Sequence, residues 1–135
     1  MTPSDLIKAY SSDPINNYAM EDFSISETQD NSICGNTLTV YLKINNQWVI
    51  EWYSHVWKPQ MFTLAAASML AEVVEGEHVD TVLGRWWDYM KHELWLDVSP
   101  RRQRSTVTAL LAIHNAITTR KWESSKETYE EIMEY

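Results

Sequence analysis

The middle of the chain carries an alternation of apolar and polar residues that predicts a β-hairpin. Over residues 38–44 every second side chain is aliphatic, as in a strand with one buried face. The pair Asn45-Asn46 predicts a tight turn, and residues 48–56 then form the returning strand. Upstream, alternation over residues 23–25 favours an edge strand. We therefore expect a small antiparallel sheet of about three strands.

After Pro59 the apolar residues recur at helical spacing instead. Gly76 ends the first helical stretch, and Ser99-Pro100 provides an N-cap and a first-turn proline for the last long helix. The predicted helices cover residues 3–10, 62–74, 79–94, 99–120 and part of 123–135. Strands followed by helices favour an α+β fold, in which the helices pack on one face of the sheet.

The size of the chain fits one domain. It has 135 residues, of which 44% are hydrophobic, and this is enough to bury one core without disulfides or metal ions. We treat residues 1–135 as a single domain with a core over about 3–120 and an acidic C-terminal extension over 121–135.

The sequence also predicts a cytoplasmic location. No apolar run reaches the roughly 18 residues that a membrane span requires, and the first residues lack the basic-then-apolar pattern of a secretory signal. Cys34 is the single cysteine, so an intrachain disulfide is excluded, and a lone thiol suits a reducing compartment. We expect a soluble protein without a membrane partner.

Charge and motif content exclude several classes of function. The formal net charge of −8 argues against a nucleic-acid partner, because such binding relies on basic surface. The sequence contains no phosphate-binding loop, dinucleotide fingerprint or zinc-ligand spacing. No general acid–base pair or nucleophile–base spacing stands out, so an enzyme is not expected. His114 lies on an otherwise apolar helix and is predicted to be a hydrogen-bonded residue of the core or its boundary.

Four stretches resemble the IscU/SufU/NifU family of iron–sulfur cluster scaffolds. Residues 13–17 are similar to the family's Asn-Pro-x-Asn motif, and residues 32–36 to its Cys-Gly-Asp loop before the second strand. Residues 63–72 resemble its Ala/Ser-rich helix, and residues 98–105 open a similar long Ala/Leu helix. The order and spacing of these stretches agree over about residues 3–120. The resemblance implies the family's α+β fold and a non-enzymatic role in iron–sulfur cluster assembly.

The resemblance also assigns positions to the family's ligands, which are three thiolates plus a His or an Asp. Cys34 retains the first thiolate, the second falls at Gln60, and the third falls at Ser105 with the preceding His at Arg104. The aspartate of the Cys-Gly-Asp loop is replaced by Asn36. Gln and Ser are poor ligands for iron and Arg cannot ligate at all. The family implies iron or an iron–sulfur cluster as cofactor, but the ligand count argues against a stable cluster on one chain.

Two hypotheses from different classes follow from the resemblance. In the first, Cys34 accepts persulfide sulfur from a cysteine desulfurase and is the one candidate metal ligand, with Asn36, Gln60, Arg104 and Ser105 lining the pocket. In the second, a degenerate scaffold fold serves as a metal-free interaction or regulatory module with a structural Cys34. A cluster shared between subunits is a third possibility. The first hypothesis requires Cys34, Gln60 and the start of the last long helix to meet at one rim.

Overall fold

A computed structural model describes residues 2–31, 36–58, 61–94, 96, 98–122 and 126–134. Its three strands form one antiparallel sheet in the order β1-β2-β3. The strands are β1 (Ile25–Asn31), β2 (Asn36–Ile44) and β3 (Ile50–Lys58). The expected α+β architecture with about three strands is confirmed.

The first strand is longer than the sequence pattern indicated. The alternation ended at Ile25, whereas β1 continues to Asn31. Glu27 and Asn31 of β1 are buried although both are polar, and the Glu27 carboxylate lies 2.8 Å from the ammonium of Lys126. Because buried positions of β1 carry polar residues, the strand lacks the apolar–polar alternation by which strands are predicted. Phe23 precedes the strand and packs edge-to-face on Tyr41.

The hairpin turn is also longer than the predicted two-residue turn, and β3 begins at Ile50 rather than at residue 48. The side-chain oxygen of Asn45 accepts hydrogen bonds from the backbone N–H groups of Gln47 and Val49. Trp48 has a φ of 62°, which lies in the left-handed region that non-glycine residues seldom adopt. These hydrogen bonds from Gln47 and Val49 to the Asn45 side chain stabilise a longer turn, and β3 therefore starts only at Ile50.

Six helices are present among the described residues. They are α1 (Pro3–Ser12), α2 (Met61–Val74), α3 (Val79–Leu83), α4 (Trp87–His92), α5 (Pro100–Trp122) and α6 (Tyr129–Ile132). None of these helices is long and apolar enough to cross a membrane.

The prediction of one helix over 79–94 is wrong. The chain forms α3 and α4 there, separated by residues 84–86. The N–H of Gly84 bonds to the carbonyls of Asp80 and Thr81, a tightened last turn that ends α3. Trp86 then adopts an extended conformation before α4. The apolar period continues across the break because both short helices contact α5.

The core lies between the sheet and two long helices. Leu38, Val40 and Leu42, which share one face of β2, are fully buried. α5 covers β1 and β2, whereas α2 contacts β3, α1 and α5. The alanines of α2 allow this close approach from several sides, because a small side chain keeps neighbouring elements near the helix axis. The prediction that helices cover one face of the sheet is confirmed.

The segment at residues 13–17 is fastened to β3. Asn16 has a φ of 56°, and its amide nitrogen donates to the carbonyl of Tyr53 at 2.7 Å and to the carboxylate of Glu75 at 3.2 Å. The buried ring of His55 bonds through Nε2 to the carbonyl of Ile15 at 2.8 Å. Burial lowers the pKa of His55, and the hydrogen bond to Ile15 opposes that effect in part. A neutral imidazole that donates through Nε2 satisfies this geometry.

Candidate functional site

Two chain connections leave the sheet at the same end. Asn31 pairs with Asn36 where β1 and β2 are joined, and Thr37 pairs with Lys58, the last residue of β3. Asn31 and Asn36, the nearest described residues before and after Cys34, therefore lie at the sheet end where β3 ends. Cys34 and Gln60 themselves lie outside the described residues. Asn36 is the first residue of β2, as the Cys-Gly-Asp resemblance requires.

The start of α2 lies against the second turn of α5. The hydroxyl of Thr63 donates to the backbone carbonyl of Ser105 at 3.0 Å, and both residues are fully buried. The hydroxyl oxygen of Ser105 has no hydrogen-bond partner among the described residues. Buried polar groups without a hydrogen-bond partner are uncommon. Ser105 stands at the position that the resemblance assigns to the third thiolate.

Arg104 lies against the C-terminal segment. Its guanidinium donates to the carboxylate of Glu130 at 2.7 Å and lies 4.7 Å from the centre of the Tyr129 ring. The backbone N–H of Glu130 and then the Arg104 guanidinium hold the pKa of the Glu130 carboxyl below its ordinary value. Arg104 thus already has an anionic and an aromatic partner within the chain.

A polar cavity joins Arg104 to the end of β1. It has a volume of about 250 Å³. Its lining residues are Gln29, Asp30, Asn31, Arg104, Glu127, Thr128, Tyr129 and Glu130. Asn31 is 2% exposed, and its amide nitrogen has no hydrogen-bond partner in the described part of the chain. Asn31, the last residue of β1, and Arg104, in the second turn of α5, therefore share one cavity.

The C-terminal segment at residues 126–134, which we call the strap, was not foreseen as part of this region. The buried His114 ring lies with Nδ1 3.0 Å from the Glu127 carboxylate and Nε2 3.1 Å from the carbonyl of Val82. The backbone N–H of Glu127 donates to the side-chain oxygen of Asn115 at 2.7 Å. His114 is thus a buried, hydrogen-bonded residue, as predicted. The capping box of Thr128 and Glu131 was the sequence signal for α6.

The described residues offer no preformed metal centre. Over these residues no group of three or more His, Cys, Asp and Glu side chains could hold an ion. Ser105 presents a hydroxyl, and the Arg104 guanidinium has no acceptor lone pair to give to a metal. With one cysteine in the chain, this donor set does not fit a cluster held by four ligands of one subunit.

Comparisons with known proteins agree with this architecture. The sequence model of the NifU-like N terminal domain matches residues 4–127, whereas no curated protein matches the sequence. Among solved structures, a nitrogen-fixing NifU-like protein (N-terminal) from Brucella abortus superimposes with a TM-score of 0.72 at 20% identity. That alignment covers 88% of this chain and 94% of the other.

A second solved structure gives the same result. The putative iron–sulfur cluster assembly scaffold protein for the SUF system from Fervidobacterium islandicum AW-1 superimposes with a TM-score of 0.72 at 16% identity, covering 84% of this chain and 94% of the other. At identities this low the superpositions show a shared fold, whereas the match to the sequence model shows membership of the family. The resemblance found in the sequence is confirmed, and the chain belongs to the NifU-like N-terminal domain family.

Proposed function

We propose that this protein serves iron–sulfur cluster assembly by carrying sulfur on Cys34, without holding a complete cluster on one chain. The observation that carries the proposal is the convergence of three sequence-distant regions. The hydroxyl of Thr63 bonds to the carbonyl of Ser105, and Asn31 shares a cavity with Arg104. Arg104 and Ser105 stand at ligand positions that the resemblance assigns, and Asn31 and Thr63 are each three residues in sequence from another such position, Cys34 and Gln60.

The proposed step is a transfer of sulfur between thiols. The Cys34 thiolate attacks the terminal sulfur of a persulfide on a cysteine desulfurase. A sulfur–sulfur bond forms on Cys34, the donor's sulfur–sulfur bond breaks, and the donor cysteine leaves as a thiolate. Charge and electrons balance without a further oxidant or reductant, as in thiol–disulfide exchange.

In this proposal Cys34 lies near two features of α5 that favour a thiolate. Positive charge and the amino end of a helix both lower a cysteine pKa, and the first turns of α5 carry Arg102 and Arg104. The ion pair of Arg104 with Glu130 reduces the share of its charge that reaches the cavity. We therefore expect a moderate activation of Cys34 rather than a strong one.

The donor set favours one alternative, a metal-free interaction module with a structural Cys34. Gln, Ser and Arg at the former ligand positions remove the soft donors that a cluster needs. The two functions differ in what Cys34 does, so both can be tested on the same thiol. The cytoplasmic location and the desulfurase partner remain predictions from the sequence and the family.

The test is anaerobic incubation with a cysteine desulfurase, pyridoxal phosphate and ³⁵S-labelled cysteine, followed by intact-protein mass spectrometry. We expect the mass of one sulfur atom to be added to the wild type, lost on reduction, and absent in Cys34→Ser. Arg104→Gln should slow the transfer several-fold. The matched control Arg120→Gln, about 24 Å further along α5, should not.

If the wild type accepts no sulfur while circular dichroism shows an intact fold, the sulfur-carrier function is refuted and the metal-free interaction module is the function that the result supports. A companion reconstitution with iron and sulfide should give no stable chromophore on the monomer. A Cys34-dependent chromophore on an oligomer would instead indicate a cluster shared between subunits.

A further inference from the structure

An apolar groove lies between α1 and α2, away from the cavity at Arg104. It has a volume of about 440 Å³. Its lining residues are Leu6, Tyr10, Met69, Glu72, Val73, Glu93 and Leu94. Val73 is ten residues after Thr63 on α2, which corresponds to about 15 Å along the helix. The groove is therefore a separate surface from the sulfur-handling region, and the inference below does not rest on the proposed function.

The groove walls have helical geometry. Leu6 and Tyr10 are four residues apart on α1, and Met69 and Val73 are four residues apart on α2. Each pair therefore forms a ridge of one helical turn. These two ridges, with Leu94 beside them, form an apolar groove that can accept the apolar stripe of a further helix, whose contacting residues are spaced by three and four.

The charges at the rim of the groove favour a basic binding partner. The charged lining residues in the described part of the chain are both acidic, Glu72 and Glu93, and both are exposed. A hydrogen bond to the Glu72 carboxylate, with some desolvation, raises the pKa of Tyr10. Tyr10 and Glu72 both line the groove. An incoming segment that is apolar in the centre and basic at its flanks complements both features.

The same charges disfavour two other occupants. A second copy would bring another formal charge of −8 to an acidic rim, and like charges across an interface are unfavourable. An anionic lipid surface attracts basic residues and would meet two carboxylates here. We propose that the groove binds an amphipathic helix of a partner protein, with apolar residues on one stripe and Lys or Arg on either side.

The probe is an amidated 14-residue peptide of leucine and lysine with its leucines on one helical face. Its counterpart carries glutamate at every lysine position. Each is titrated into the ¹⁵N-labelled full-length protein at low salt, and amide shifts are followed. We expect the lysine peptide to shift amides around Leu6, Tyr10, Val73 and Leu94, and the glutamate peptide to bind at least tenfold more weakly.

Two variants separate the charge and apolar contributions. Glu72→Gln with Glu93→Gln should weaken the lysine peptide about 3- to 30-fold and flatten its salt dependence. Leu6→Ser should weaken it with the salt dependence retained. Glu21→Gln with Glu51→Gln removes the same charge from exposed positions and should change the affinity less than about twofold.

Three results would overturn the proposal. The first is equal binding of the two peptides, and the second is a shift map centred outside the groove. The third is a dimer in sedimentation experiments that Leu6→Ser dissolves, which would identify a second copy as the occupant. Failure of sulfur transfer to Cys34 would leave the groove proposal untouched, because none of these readouts uses the thiol.

Discussion

The hydrogen bond between His114 and Glu127 should be a main attachment of the strap. The His114 side chain is 0% exposed and that of Glu127 is 21% exposed. A neutral imidazole has one N–H group, whereas both ring nitrogens of His114 face oxygen acceptors. One further proton on the pair is therefore needed for both hydrogen bonds to form.

The Glu127→Ala and Glu127→Gln variants should differ clearly in stability. Alanine leaves Nδ1 of a fully buried ring without its partner, which costs about 1–3 kcal/mol for an unsatisfied group and more if the pair is ionic. We expect a loss of about 2–4 kcal/mol for Glu127→Ala. Glutamine can still pair with either form of the ring, so its loss should be about 1 kcal/mol.

The assay is urea unfolding followed by tryptophan fluorescence and analysed by linear extrapolation. The ring of Trp86 lies edge-on to His114, with centroids 5.6 Å apart, so a tryptophan near the pair should report its loss. Asp22→Ala is the control, because the Asp22 side chain is 90% exposed in its ion pair with Lys43 and should contribute less than about 1 kcal/mol. Equal stability of Glu127→Ala and wild type, or equal losses for both substitutions, would refute this reasoning.

Three further predictions concern other parts of the molecule. Burial lowers the pKa of His55 in the folded protein, so on acidification the unfolded chain takes up a proton on His55 at a higher pH than the folded chain does. The free energy of unfolding should therefore be unaffected by His55 above about pH 6.5 and should fall by up to about 1.4 kcal/mol per pH unit below it. His55→Gln should flatten that part of the profile of unfolding free energy against pH, and an unchanged slope would contradict the assignment. Thr63→Val removes the hydrogen bond to Ser105 and should cost about 1–2 kcal/mol by urea titration; no loss would mean that this contact contributes little. Gln60→Cys with Ser105→Cys adds thiols at the two other positions that the family resemblance assigns to thiolates, and iron–sulfide reconstitution should then give a thiolate-bound chromophore that the wild-type monomer lacks. The absence of this chromophore would argue against the proposed convergence of the three positions.

Regular burial made parts of the fold predictable from the sequence. Leu38, Val40 and Leu42 alternate because one face of β2 is in the core, and that period identified the strand. The inner face of β1 carries Glu27, which is paired with Lys126 of the strap. A polar residue that is satisfied by a distant partner gives no local signal, so most of β1 was not predicted.

The errors in the helical region have a different cause. α3 and α4 keep one apolar period because both pack on α5, so hydrophobic spacing could not reveal the break at Gly84. The role of the strap depends on His114 and Asn115 of α5 meeting Glu127, which is a tertiary contact. The family resemblance assigned Arg104 to the ligand region, but its engagement with Glu130 and Tyr129 required the structure.

The central claim is that Cys34 lies beside the start of α5, and disulfide trapping measures this directly. Ser105→Cys places a second thiol at the former ligand position, and mild oxidation should join it to Cys34 within one chain, because disulfides require Cα atoms within about 7 Å. The protein with Arg120→Cys instead, at the far end of α5, should stay monomeric and reduced under the same conditions. A disulfide between Cys34 and the thiol introduced by Ser105→Cys, identified by peptide mapping, is the predicted result. Free thiols at both positions, in a protein that remains folded, would contradict the account.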